Sequence, residues 1–112
     1  MKSNINTNLY TSVYITHETM NYQRIKTLQK DYGYDELQEM INSGNAWKME
    51  GSYGRAASEA LSSGACMLPK EFKNDYYGNR VPSRDVLKPG TKGTYQNSKR
   101  FWEQVYNGFI EL

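Results

Sequence analysis

The tightest constraint on this chain is near its C-terminal end. Tyr95, Ser98, Phe101, Trp102, Val105, Tyr106 and Phe109 recur at helical spacing behind Thr94, whose hydroxyl suits an N-cap. So wide an apolar stripe has to be covered by something. The rest of the chain has few aliphatic side chains to cover it with, and the mean hydropathy is only -0.85. Aromatic residues make up the shortfall: ten Tyr, three Phe and two Trp in 112 residues. Each buries roughly 150–250 Å², so a few suffice for a small core. The pattern predicts a central last helix, with Phe101, Trp102, Val105 and Phe109 buried against an alanine-rich face at residues 56–61. Ten tyrosines are more than such a core needs, and the surplus is expected at the surface, where a large, stiff, amphipathic ring suits an interface.

The remaining elements follow from periodicity. Residues 1–8 read as a polar, Asn-rich flexible tail, and residues 9–112 as a single mainly helical domain. Leu9, Thr11, Val13 and Ile15 alternate with Tyr10, Ser12 and Tyr14, which predicts one short strand. Ala46 to Glu50 alternate weakly and are a candidate partner for it, which would make the fold α+β. Thr16 and Thr19 are candidate caps for a first helix carrying Tyr22, Ile25, Leu28 and Tyr32, with Gly33 as its stop. Asp35 and Glu36 open a second helix with Leu37, Met40 and Ile41 on one face, ended by Gly44. Ser52 is the candidate cap of a third, in which Tyr53, Ala56, Ala57, Ala60 and Leu61 share a face up to Gly64. Ala65 to Leu68 form a brief apolar run, closed by Pro69, that reads as buried.

Residues 69–93 break the helical pattern. They hold all three prolines, with Gly78, Gly90 and Gly93. Asp75-Tyr76-Tyr77-Gly78-Asn79 and Lys88-Pro89-Gly90 are turn chemistry, and Ser83 to Leu87 is a candidate single helical turn. Phe72, Tyr76, Tyr77, Val81, Val86 and Leu87 favour a long ordered loop packed on the helices. The expected fold is therefore mainly α: four to five short helices, one short N-terminal strand and that loop.

The search for chemistry turns up little. One His and one Cys cannot build a metal cluster or a Cys₂His₂ site. Cys66 with His17 is a formal nucleophile pair, but a small thiol in an apolar run is by default a core residue. Glu36 and Glu39 read as a solvated helix face, and Glu50 as a carboxylate at a helix start. Gly51-Ser52-Tyr53-Gly54-Arg55 is a glycine turn into a helix without the Gly-Lys-Ser/Thr ending of a phosphate-binding loop. If that turn were a site, Arg55 would be its anion ligand. The expectation is a protein that is not an enzyme and needs no cofactor. With one cysteine, a polar N-terminus and no long apolar run, it is also expected to be cytoplasmic and to avoid membranes.

Charge is uneven. The formal total is +2, which excludes an acidic mimic of DNA. Residues 70–100, however, carry eight basic side chains against Glu71, Asp75 and Asp85. Cations there interleave with Tyr76, Tyr77, Tyr95 and Trp102. Lys and Arg neutralise phosphates while aromatic faces stack on unpaired bases, and Tyr, Trp and Arg also dominate protein interface hot spots. The plain alternative is an ordered loop with a solvated basic rim. The partner-binding candidates are Tyr76, Tyr77, Arg80, Arg84, Lys88 and Lys92.

Four long motifs carry a resemblance: Gly51-Ser52-Tyr53-Gly54-Arg55-Ala56-Ala57; Ser63-Gly64-Ala65-Cys66-Met67-Leu68-Pro69; Asp75-Tyr76-Tyr77-Gly78-Asn79-Arg80-Val81-Pro82-Ser83-Arg84; and Lys88-Pro89-Gly90-Thr91-Lys92-Gly93. Together they resemble small phage and mobile-element proteins of Gram-positive bacteria. The resemblance implies an origin rather than a mechanism. Small proteins of that kind often bind and block host machinery, and anti-CRISPR proteins aimed at the Cas9 effector are one such class. What it implies here is an inhibitor of a host defence complex, acting on the protein or its guide RNA. The alternative is a small nucleic-acid-binding module serving the element's own replication or regulation.

Overall fold

The first helix among the described residues begins where a side chain can satisfy its free amides. The structure, a computed structural model, describes residues 20–48 and 52–112. The expected tail 1–8, the strand at 9–15, Thr16, His17, Thr19 and Glu50 lie outside those residues. Asn21 caps α1 (Tyr22–Asp31), its Oδ1 accepting from Arg24 N at 2.9 Å. The helix closes through Gly33, whose φ of +83° lets Gly33 N reach Lys30 O and Tyr34 N reach Gln29 O. Helix α2 (Asp35–Ser43) starts on Asp35 and Glu36 and ends at Gly44. Residues Asn45–Trp47 form a 3-10 turn, so the weak alternation at 46–50 makes no strand at Ala46 and Trp47; residues 49 and 50 lie outside the described residues. Helix α3 (Ser52–Ser63) takes Ser52 as its first helical residue rather than the residue before it. Helix α4 (Tyr95–Tyr106) is capped by Thr94, whose Oγ1 accepts from Asn97 N at 3.2 Å.

The fold is mainly helical, with four α-helices among the described residues and one small sheet. That sheet lies within the stretch expected to be irregular. Strands β1 (Lys73–Asn74) and β2 (Arg80–Val81) pair antiparallel, Lys73 opposite Val81 and Asn74 opposite Arg80. Ser83 to Leu87 make a turn closed by Val86 N to Ser83 O at 3.3 Å, without a helix.

Helix α4 packs on α1 and α3. Trp102 is fully buried, its ring set tilted to Tyr32 at 5.7 Å and edge-on to Tyr34 at 6.0 Å and Phe101 at 5.0 Å. Ala57, Ala60 and Leu61 supply the small-residue face of α3. The expected burial of Phe109 fails, since that ring is 80% exposed. The helical spacing extends to residue 109, but the helix does not. Gly108 takes φ +83°, Gly108 N bonds Val105 O and Phe109 N bonds Gln104 O. This glycine-closed end turns the chain off the helix axis before residue 109.

The core is organised around residues 64–69, a non-helical strap that is buried throughout. Backbone outside a helix or sheet has no ladder to pair with, so its polar groups need other partners. Two buried glutamines supply several of them. Gln38 donates to Met67 O at 2.8 Å and accepts from Met67 N at 2.9 Å. Gln29 donates to Ala65 O and to Gln38 Oε1, both at 2.9 Å. Trp102 Nε1 adds a bond to Ala65 O, Arg84 Nε one to Leu68 O, and Leu68 N donates to Gly93 O. Helices α1, α2 and α4 are thus each tied to the strap by a side-chain hydrogen bond. Gly93 sits at φ +89°, where a Cβ would fall 2.7 Å from Leu68 Cδ1, so the strap's neighbour has to be glycine.

Candidate interaction surface

The hairpin displays what the core leaves out. Asp75 builds its tip: Oδ1 accepts from Tyr77 N at 2.9 Å and from Asn79 N at 2.7 Å, while Asn79 Nδ2 reaches Oδ2 at 3.3 Å. An aspartate that bonds the backbone ahead of it fixes a turn locally. Gly78 completes it with φ +83°. Tyr76 N donates to Trp47 O at 2.7 Å, which docks the tip on the 3-10 turn. Outward from this base stand Phe72, Tyr76 and Tyr77, at 50%, 57% and 80% exposure. Tyr76 and Tyr77 meet edge-on at 5.1 Å, and the Arg80 guanidinium lies over the Phe72 ring at 4.1 Å.

The expectation that these aromatics pack down on the helices is therefore corrected. Val81 and Leu87 do pack against the core, whereas Phe72, Tyr76, Tyr77 and Val86 are exposed. The tip is held by hydrogen bonds to backbone, which leaves its rings free of the core.

The six candidate residues separate into three groups. Tyr76, Tyr77 and Arg80 come together on the hairpin. Lys88 and Lys92 are exposed on a different loop, tied by Thr91 Oγ1 to Lys88 O at 2.6 Å and by Gly90 N to the Thr94 hydroxyl at 3.2 Å. Lys92 borders a mostly apolar hollow of about 390 Å³ with Leu61, Leu68 and Leu87. Arg84 is not a surface residue: it is 9% exposed, its Nε donates to Leu68 O at 2.7 Å, and its backbone N donates to Pro69 O at 2.9 Å. Its cationic neighbours in sequence are also partly engaged. Lys70 lies 3.6 Å from Asp85, and Arg100 donates to Gly90 O and Asn97 Oδ1. The basic excess of residues 70–100 is thus not one patch.

Phe72 is not among the six candidates, although the sequence holds a signal for it. A turn at Asp75 to Asn79 implies flanking strands, and their register carries Phe72 toward Arg80.

No group of three or more His, Cys, Asp or Glu among the described residues could hold a metal ion. Cys66 is buried, and burial pushes its thiol up to about 12, so it is neutral at physiological pH, as a core cysteine should be. Tyr95 is also raised, first by burial and then by the nearby Glu103 carboxylate. No helix among the described residues is long and apolar enough to cross a membrane. A scan against protein-family models, a search of curated proteins and a search of solved structures each gave no match.

Proposed function

We propose that the chain is a binding protein that grips a protein partner with its hairpin. The observation that carries this reading is two exposed pairs, Tyr76 with Tyr77 and Phe72 with Arg80, on and beside a hairpin whose tip is anchored by Asp75. Large rings on a fixed support lose little entropy on binding, and Tyr with Arg is the usual hot-spot chemistry. Nucleic acid is the weaker reading, because backbone phosphates call for several cations along a track. Here Lys70 faces Asp85, Arg84 is largely buried and bonds Leu68 O, and Arg100 bonds Gly90 and Asn97. With the resemblance to phage and mobile-element proteins, the partner we propose is a host defence complex, the Cas9 effector being the first to test.

The experiment is a Cas9 cleavage assay with guide RNA and target DNA, run with the intact protein and with Tyr77→Ser and Arg80→Ala. Inhibition by the intact protein that drops tenfold or more in either variant supports the reading. Cleavage unaffected by excess protein removes Cas9 as the partner. A capture from bacterial lysate with and without nuclease then tests the broader reading. A partner lost with Tyr77→Ser and kept after nuclease supports it. Recovery of nucleic acid alone moves the assignment to the nucleic-acid module.

A further inference from the structure

A cleft of about 680 Å³ lies between Tyr22 and Tyr95, the first residues of α1 and α4, with Lys73 of β1 and Arg84 on its wall. We propose that this cleft binds the phosphate group of a small molecule, held between Arg84 and Lys73. The inference is independent of the hairpin reading.

Arg84 carries the argument. It is more than nine-tenths buried, yet of its five N–H donors only Nε has a hydrogen-bond partner among the described residues. The Nε bond to Leu68 O fixes the guanidinium plane and leaves the terminal amino groups bordering the cleft. A cation with so little water around it favours a counter-charge beside it. Tyr22 faces it at 5.8 Å, which offers a ring and no counter-charge. The carboxylates on the wall are Asp85, which lies 3.6 Å from Lys70, and Glu71, which is exposed. Three cations against these two acids leave the wall with a net charge of +1. A guanidinium fork of fixed orientation matches phosphate oxygens two at a time. The volume lies in the range of small-molecule sites, and Tyr22 and Tyr95 are placed to flank a flat organic group attached to the phosphate. The phosphate could be inorganic or part of a nucleotide, and the chemistry at Arg84 is the same in both.

The test is titration of the full chain with adenosine monophosphate, inorganic phosphate and adenosine, read by amide NMR shifts and by calorimetry. Saturable binding of the monophosphate at about 1 mM or tighter is expected, with shifts at Tyr22, Lys73, Arg84 and Tyr95. Tighter binding of the monophosphate than of phosphate assigns a nucleotide-like ester; equal binding assigns free phosphate. Lys73→Ala should weaken either ligand roughly tenfold without altering the fold, and Arg84→Lys, which keeps the charge and loses the fork, by a similar factor. If Arg84→Lys unfolds the protein, Lys73→Ala decides alone. The proposal is overturned if neither anion saturates at about 10 mM, if adenosine binds as well as its monophosphate, or if Lys73→Ala leaves binding unchanged.

Discussion

The strap at 64–69 and the hairpin at 73–81 are both short stretches of non-helical chain, and both are punctuated by glycine. They are stabilised in opposite ways. The strap is held from outside by side chains far away in sequence, with Gln29, Gln38, Arg84 and Trp102 each bonding its backbone. The hairpin is held largely from inside, by Asp75 bonding the turn that follows it. In the strap the side chains are buried and the function is cohesion. In the hairpin the rings are exposed, and a partner can take them without disturbing the fold. Where a loop's hydrogen bonds come from thus decides whether its side chains are free to bind.

The sharpest way to break this contrast is at the strap's hydrophobic support. Trp102→Ala removes a fully buried ring and the donor to Ala65 O, and should cost about 3–5 kcal/mol in chemical denaturation. That is a large part of a small domain's stability, and a change near zero would show that α4 does not pack as described. Gln38→Leu keeps much of the bulk but strands both polar groups of Met67, and should cost about 3 kcal/mol. A neutral result would mean that water replaces the amide.

Cys66 adds a pH test of the strap's burial. An unfolded thiol ionises near 9, the folded one near 12. Above pH 9 the native state therefore binds more protons than the unfolded state, and stability should fall as pH rises from about 9 toward 12. Below pH 9 this group contributes no slope. Comparing Cys66→Ala with the parent across that range isolates the effect, and an identical slope would mean the thiol is accessible. The smallest effect belongs to the hairpin. Tyr77→Ser should change stability by less than about 0.5 kcal/mol while abolishing partner capture. A loss of several times that amount would place the ring in the core.

Much of the helical layout is legible in the sequence. Thr94 as a cap, Gly33 and Gly44 as stops, and the burial of Ala65 to Leu68 all follow from local chemistry, because caps and glycine stops act within a turn or two. Trp102 was legible for a similar reason, since its stripe had no other use. The hairpin was half legible: Asp75 to Gly78 announced a turn, but two-residue strands carry too little alternation to register as strands. Arg84 was misplaced, because sequence counts charges and does not say which backbone carbonyl is waiting for one.

Gln29 and Gln38 show the limit most plainly. On their helices they look like ordinary solvated polar positions, and only the arrival of the strap from 29 residues beyond Gln38 makes them core residues. The sequence by itself determined where helices start and stop and which stripe has to be buried, because those depend on neighbours a few residues apart. The tertiary structure alone decided which polar groups became internal, which cation was buried, and which aromatic rings were left for a partner. Those outcomes depend on distant segments meeting, and on each buried backbone group needing a hydrogen bond when they do.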